Sequence, residues 1–260
     1  MEHPIAMVVA LGEERRALQG ALTSLRRERT GAVRLAVGDL AGHAVVVIQA
    51  GIGRERARRA LLSVSRRFAL RAAWSLGFAG GLTEHLNTGD LVCPSIVLLD
   101  DGLTGKPFPV ASAQAEVRAA LSAAGIPCHE GAVLTVDAPL RTPQAKQEAH
   151  RRTTAVAVDM EAVGIAEAAA TLGIPWLAFK AVVDPVGEPL PEFLAGCTTP
   201  EGDLCWRGQL GSLLLSGERR RTLGRLHRAS RQAGHGLRRC LDLALRAGVA
   251  LTPPVRSSTM

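Results

Sequence analysis

An aspartate closes an apolar run in this sequence, Ala181-Val182-Val183-Asp184-Pro185. A carboxyl among aliphatic side chains loses hydration, so its proton affinity rises toward the range where a general acid works. A turn aspartate ahead of a proline is the other reading of the same residues. Val158-Asp159-Met160-Glu161-Ala162 places two acids around a methionine where a strand gives way to a helix. Such acids either complement the positive end of the helix or face a ligand at the carboxyl edge of a sheet, and spacing alone weighs the two evenly. Leu11-Gly12-Glu13-Glu14 puts a further pair of acids after the first apolar run.

Two glycine clusters accompany these acids. Gly77-Phe78-Ala79-Gly80-Gly81-Leu82 has three glycines in five residues at the end of a strand. That leaves almost no side-chain wall and suits close backbone contact with a flat ligand or a phosphate. Ala50-Gly51-Ile52-Gly53 also follows a strand and opens a helix, but a dinucleotide fingerprint needs a third glycine and a downstream acid. Arg56 and Arg71 stand near those two places. The cluster therefore reads either as a turn that brings main-chain N–H groups to a ligand or as a plain strand-to-helix turn. No metal or cofactor site is expected, because the seven histidines lack ligand spacing and the five cysteines form no C-x-x-C pair.

The elements that must carry these residues follow from hydrophobic periodicity. Apolar runs at 5–10, 33–37, 44–50, 72–76, 91–99, 132–136, 155–158 and 175–183 read as strands. Helical spacing predicts helices from 13 to about 27, 54–67, 113–124, 160–172 and about 218–246. In the second of these, Ala57, Ala60, Leu61 and Val64 face inward and the arginines outward. Strands alternating with helices imply an α/β fold of three layers, a twisted, mixed central sheet flanked by helices, with a C-terminal helical extension. Residues 184–217, rich in proline and glycine, read as an irregular crossing, and the last dozen residues as frayed. The division is a catalytic domain at 1–205 and a basic extension at 206–260.

Of 260 residues, 47% are hydrophobic, which excludes a disordered chain, and no apolar run reaches the length of a membrane span. With an N-terminus lacking the basic start of a secretory signal, a cytoplasmic location is the expectation. The net charge of +7 is unevenly placed. From Trp206 onward eleven arginines face two acids, a balance of +9, so the preceding 205 residues carry −2. No aromatic follows Trp206, and nucleic-acid binding usually interleaves basic and aromatic residues, so no nucleic-acid partner is expected. The basic helix either docks its leucine stripe on the core or lies on an anionic membrane surface, peripheral to the inner membrane.

Together these segments, in order and spacing from the first strand to about residue 185, resemble the nucleoside phosphorylase and nucleosidase superfamily. Thr88-Gly89-Asp90-Leu91-Val92 belongs to the same pattern. In the branch of methylthioadenosine/adenosylhomocysteine nucleosidases, the resemblance gives Glu14 the attacking water and Glu161 the ribose hydroxyls. It gives Met160 the face of the sugar and Asp184 the purine ring nitrogen. It makes Ile52, Phe78, Ala79, Gly80 and Asp159 substrate contacts. Breaking a ribosyl C–N bond passes through an oxocarbenium-like state, so one carboxyl must be protonated while another stays ionised. Asp184 suits the first role. Glu14, at a helix start whose dipole favours the charged form, suits the second.

The chain departs from that branch at Phe78, Pro139 and Val183. It more closely resembles hopanoid-associated phosphorylases through Val136-Asp137-Ala138-Pro139, Lys146 with His150, and Leu190-Pro191 after Val183-Asp184-Pro185. That likeness implies release of adenine from adenosylhopane. Hydrolysis is favoured over phosphorolysis, because no arginine lies within 77–82 and only Arg54 lies beside the other glycine turn. The alternatives are a methylthioadenosine/adenosylhomocysteine or futalosine-type nucleosidase, or a nucleoside- or lipid-binding protein without catalysis. A homodimer or larger homo-oligomer is implied by the resemblance alone.

Overall fold

The computed structural model describes residues 3–191, 199 and 217–247. In chain order its first half comprises β1 (Ile5–Val9), α1 (Gly12–Gln19), β2 (Thr23–Thr30), β3 (Val33–Leu40), β4 (His43–Gln49), α2 (Arg54–Ser65), β5 (Ala72–Gly81), β6 (Leu91–Val92), β7 (Ile96–Leu99) and β8 (Lys106–Pro109). There follow α3 (Ala113–Ala123), β9 (Cys128–His129), β10 (Ala132–Thr135), α4 (Pro143–Thr153), β11 (Ala157–Asp159), α5 (Ala162–Leu172), β12 (Trp176–Asp184) and α6 (Gly217–Arg246).

The strands form one mixed sheet. β1 pairs in parallel with β4 and β5, whereas β2–β3 and β3–β4 are antiparallel. β1 is buried along its whole length, as a strand with helices on both faces must be. Its side chains alternate between two cores. Ala6 and Val8 join Ala57, Ala60, Leu61 and Val64 of α2 and the alanine-rich face of α5. Ile5, Met7 and Val9 join Leu18 of α1, Val117 and Leu121 of α3, and Leu237 and Leu241 of α6. Three layers result, with the inward residues of α2 as its periodicity predicts.

β5 is the branch point. Its first residues pair with β1, Ala73 to Gly80 pair with β12, and Gly80 and Gly81 pair antiparallel with β11. The glycine-rich segment is therefore strand rather than a loop beyond one, and it brings the ends of β1, β11 and β12 together.

Several boundaries differ from the sequence expectation. The helix expected from 13 to about 27 ends at Gln19, and 23–30 form β2, hydrogen-bonded to β3. Leu22 and Leu25, whose spacing suggested helix, still pack against the second core from the bend and the strand. The arginines of β2 suit an outer strand, where charge protects an open edge. The strand expected over 91–99 is split into β6 and β7 around Pro94, which cannot donate a ladder hydrogen bond. Hydrophobic periodicity does not reveal α4, because only Lys146, Ala149 and Thr153 are buried on it. Its boundaries are conventional nonetheless: Thr142 caps its start, accepting from the Ala145 N–H at 3.1 Å, and Pro143 opens its first turn.

α6 docks. Leu226, Ala229, Ala233, Leu237, Cys240, Leu241, Ala244 and Leu245 are buried, and the helix lies on β12, β5, β6, α1 and α3. The core thus takes up the leucine stripe, the alternative to a membrane surface. No described helix is long and apolar enough to cross a membrane. The expected boundary at 205/206, most of the crossing from 184 to 217 and the last dozen residues lie outside the described residues.

Candidate active site

Glu14 lies in the first turn of α1, just after β1 ends. Its Oε2 accepts from the N–H groups of Ala10 at 2.9 Å and Leu11 at 2.8 Å, and its Oε1 from that of Phe78 at 2.7 Å. Three donors favour the charged form, as the position at a helix start also suggests. Burial nevertheless outweighs them and pushes Glu14 up to about 7, against the hydrogen bonds from Leu11 and Phe78 and the nearby charge of Lys180.

Glu161 opens α5. Gly53, at φ 111° in the turn before α2, directs its N–H to Glu161 Oε1 at 2.9 Å. The glycine turn therefore orients an acid from the far side of the sequence. Burial raises the proton affinity of Glu161 well above the usual carboxylate range. The charge of Asp159 adds to that, and Lys180 opposes it.

Asp159 borders the same region, but its carboxylate is already occupied. Thr135 Oγ1 donates to Oδ1 at 2.6 Å, the Ala162 N–H donates to Oδ2 at 2.9 Å, and Lys180 Nζ stands 2.7 Å from Oδ2. Asp159 thus caps α5 and anchors a buried cation. Lys180 also donates to Ser75 Oγ at 3.0 Å. Sequence reasoning missed it, although a lone lysine inside Leu177-Ala178-Phe179-Lys180-Ala181-Val182 is a legible anomaly.

Asp184 ends β12 and is 4% exposed. Burial pushes its carboxyl up to about 6, and Lys146 opposes the rise. Lys146 Nζ lies 2.7 Å from Asp184 Oδ2.

The carboxyl-bearing residues Glu14, Glu161 and Asp184 line one cavity of about 310 Å³, within the size range of small-molecule sites. Ile52, Phe78, Ala79, Gly80, Asp159 and Met160 line it too, so the nine residues given a catalytic or substrate-contact role in the sequence lie around one cavity, whereas Asp137, Lys146 and His150 do not line it. Its apolar wall also includes Val136, Pro139, Leu140, Leu190 and Pro191, and among the described residues Arg141 is the one arginine or lysine lining it. Arg54 is held by Glu167 at 3.1 Å and lies 3.9 Å from Asp137. Among the described residues no cluster of histidine, cysteine or acidic side chains could hold a metal ion.

Two carboxyls of near-neutral proton affinity and a third held by a backbone N–H, around an apolar slot, can protonate one group, deprotonate another and grip hydroxyls. The sequence matches the model of the Phosphorylase superfamily over residues 4–198. It is 26% identical over 209 residues to the 5′-methylthioadenosine/S-adenosylhomocysteine nucleosidase of Pseudoalteromonas translucida (strain TAC 125), covering 72% of this chain and 87% of the relative. The fold is similar to that of the corresponding nucleosidase from Neisseria meningitidis in complex with methylthio-immucillin-A. That pair has a TM-score of 0.73 and 19% identity, covering 94% of this chain and 99% of the other. Futalosine hydrolase of Helicobacter pylori strain 26695 gives a TM-score of 0.74 at 14% identity, covering 94% and 97%.

Proposed function

The chain belongs to the Phosphorylase superfamily, and from that membership we propose that it hydrolyses the N-glycosidic bond of an adenosine-type purine nucleoside. The observation that carries this reading is the meeting of Glu14, Glu161 and Asp184 on one cavity. Asp184 gives its proton to a ring nitrogen of the purine. The C1′–N bond then breaks, its electron pair leaving with the base. Glu14 takes a proton from water as the water oxygen bonds to C1′. Free base and free sugar are the products. Glu161 accepts hydrogen bonds from the ribose hydroxyls, Met160 packs against the sugar, and the strand from Phe78 to Gly80 lies along the nucleoside. Asp159 serves this site by capping α5 just after Glu161 and by pairing with Lys180.

Water is favoured over phosphate as the acceptor. A phosphate beside Glu14 and Glu161 needs cations to offset repulsion. Among the described residues Arg141 is the one arginine or lysine lining the cavity, and Arg54 is engaged by acids.

The wall formed by Val136, Pro139, Leu140, Leu190 and Pro191 suits an apolar substituent on the ribose 5′ carbon. Adenosylhopane is the lipid end of that class and the reading taken from the sequence. The alternative is a small thioether, favoured by relatives named 5′-methylthioadenosine/S-adenosylhomocysteine nucleosidases. By resemblance, the working form is a homodimer or larger.

Base release from adenosines that differ at the 5′ carbon, with and without phosphate, tests the proposal. Adenine and unphosphorylated sugar are expected, at a rate indifferent to phosphate. Asp184→Asn should lower the rate by about 10²- to 10⁴-fold. A sugar phosphate as product would overturn hydrolysis, and absence of release from every nucleoside would favour a binding protein.

A further inference from the structure

We propose that Lys146 is the positioning residue of the base-side acid. It fixes the turn that carries Asp184 and occupies the side of Oδ2, so that Oδ1 presents the transferable proton. The inference rests on the role proposed above for Asp184.

Lys146 is fully buried, its side chain 0% exposed, a costly place for an ammonium group unless its hydrogens and charge are matched. They are matched by one short segment. Nζ donates to the carbonyl oxygens of Asp184 at 3.0 Å, Pro185 at 2.9 Å and Glu188 at 2.9 Å. The turn is closed by the Glu188 N–H donating to the Pro185 carbonyl at 3.0 Å. An ammonium group has three hydrogens, and those of Lys146 are shared among three carbonyls of the backbone leaving β12 and the Asp184 carboxylate.

The two oxygens of Asp184 then differ. Oδ2 is buried 2.7 Å from Nζ, the shortest of the ammonium group's four contacts, and is held as its ion-pair partner. It also abuts β5, since a β-carbon on Gly80 would lie 3.1 Å from it. A hydroxyl hydrogen on Oδ2 would have to face the Lys146 cation at that short distance. Oδ1 is the other oxygen of a residue that lines the cavity, and a proton there meets neither obstacle.

The arrangement is held from two further sides. Lys146 shares the buried face of α4 with Ala149 and Thr153. Arg225 of α6 pairs with Glu188 at 2.9 Å, tying the C-terminal helix to the same turn. The charged groups that act on Asp184 are thus Lys146 from α4, Glu188 from the turn and Arg225 from α6.

Lys146→Met keeps the length of the side chain and removes the charge and donors. Base release should fall about 10²-fold in kcat, the scale of a misplaced catalytic group, with little change in KM. A ¹³C NMR titration of the aspartate carboxyls, with Asp184→Asn as the assignment control, should show Asp184 titrating at higher pH in the variant. Added to Asp184→Asn, Lys146→Met should cost less than about threefold further, because residues acting through one another are not additive. Full independent losses in the double variant, or an unmoved titration, would overturn the proposal. Should Lys146→Met fail to fold, Lys146→Arg keeps the charge with a different donor geometry. It should leave the titration near that of the unsubstituted protein while lowering kcat, and an undiminished kcat would overturn the inference. If the unsubstituted protein releases no base, the function proposed above falls, while the titration still decides whether Lys146 governs Asp184.

Discussion

Glu14 occupies the space that a side chain on residue 77 would need. A β-carbon built on Gly77 lies 2.7 Å from Glu14 Oε1, and Gly77 itself adopts φ 147°. Both facts require glycine, the second because L side chains rarely adopt that backbone conformation. Gly77→Ala should displace the Glu14 carboxylate and lower base release by about 10²-fold or more. It should also cost roughly 1–3 kcal/mol in urea denaturation. An unaltered rate would mean that Glu14 does not act from this position.

The proton affinities set the pH profile. Asp184 is pushed to about 6 and Glu14 to about 7. The working state needs Asp184 protonated and Glu14 ionised, so it is the minor member of its proton-isomer pair, by about tenfold. A narrow bell in kcat/KM is expected, with its maximum between these values. A flat profile from about pH 5 to about pH 9 would contradict the assignment.

Stability should run against rising pH. Glu14 keeps its proton in the folded state up to about 7, whereas the unfolded chain releases it near 4.5. Stability contributed by the neutral form is therefore full below 4.5 and lost as pH rises through about 7, by up to about 3 kcal/mol for this group. Asp184 acts in the same sense between 3.8 and about 6. Glu55 and Asp101 are lowered, so their opposite contribution is complete before this window. Thermal melting at pH 5 should lie above that at pH 7.5, and the reverse order would refute the burial argument.

Glu161 should matter through the ribose. A hydrogen bond contributes about 0.5–1.5 kcal/mol, so losing the two to the ribose in Glu161→Ala should lower kcat/KM about 10- to 100-fold on a ribonucleoside. On the 2′,3′-dideoxy analogue most of that penalty should disappear. An equal penalty on both substrates would remove the hydroxyl role.

The docked helix should be structural. Leu241 of α6 is fully buried in the core shared with β1, α1 and α3. Leu241→Ala should cost about 2–5 kcal/mol in urea denaturation. A loss near zero would mean that α6 leaves the core in solution.

Much of this architecture was legible one residue at a time. The inward face of α2, the full burial of β1 and the acids at strand ends follow from short-range periodicity and from what burial does to a carboxyl. The α/β class could be read on that basis, whereas the gathering of those acids around one ligand was implied by the family resemblance alone.

Tertiary structure decided the rest, because the deciding contacts join distant segments. Residues 23–30 are a strand because β3 supplies their hydrogen bonds, which no local pattern of arginines announces. The Gly53 N–H meets Glu161 from 108 residues away, and Lys180 reaches Ser75 from 105. Asp159 and Glu161 look equivalent in sequence, yet Thr135, the Ala162 N–H and Lys180 claim the first and leave the second at the cavity. Glu14 at a helix start suggests an easily ionised acid, and desolvation reverses that. Propensity acts over a few residues, whereas burial and charge are summed over whatever the fold brings near.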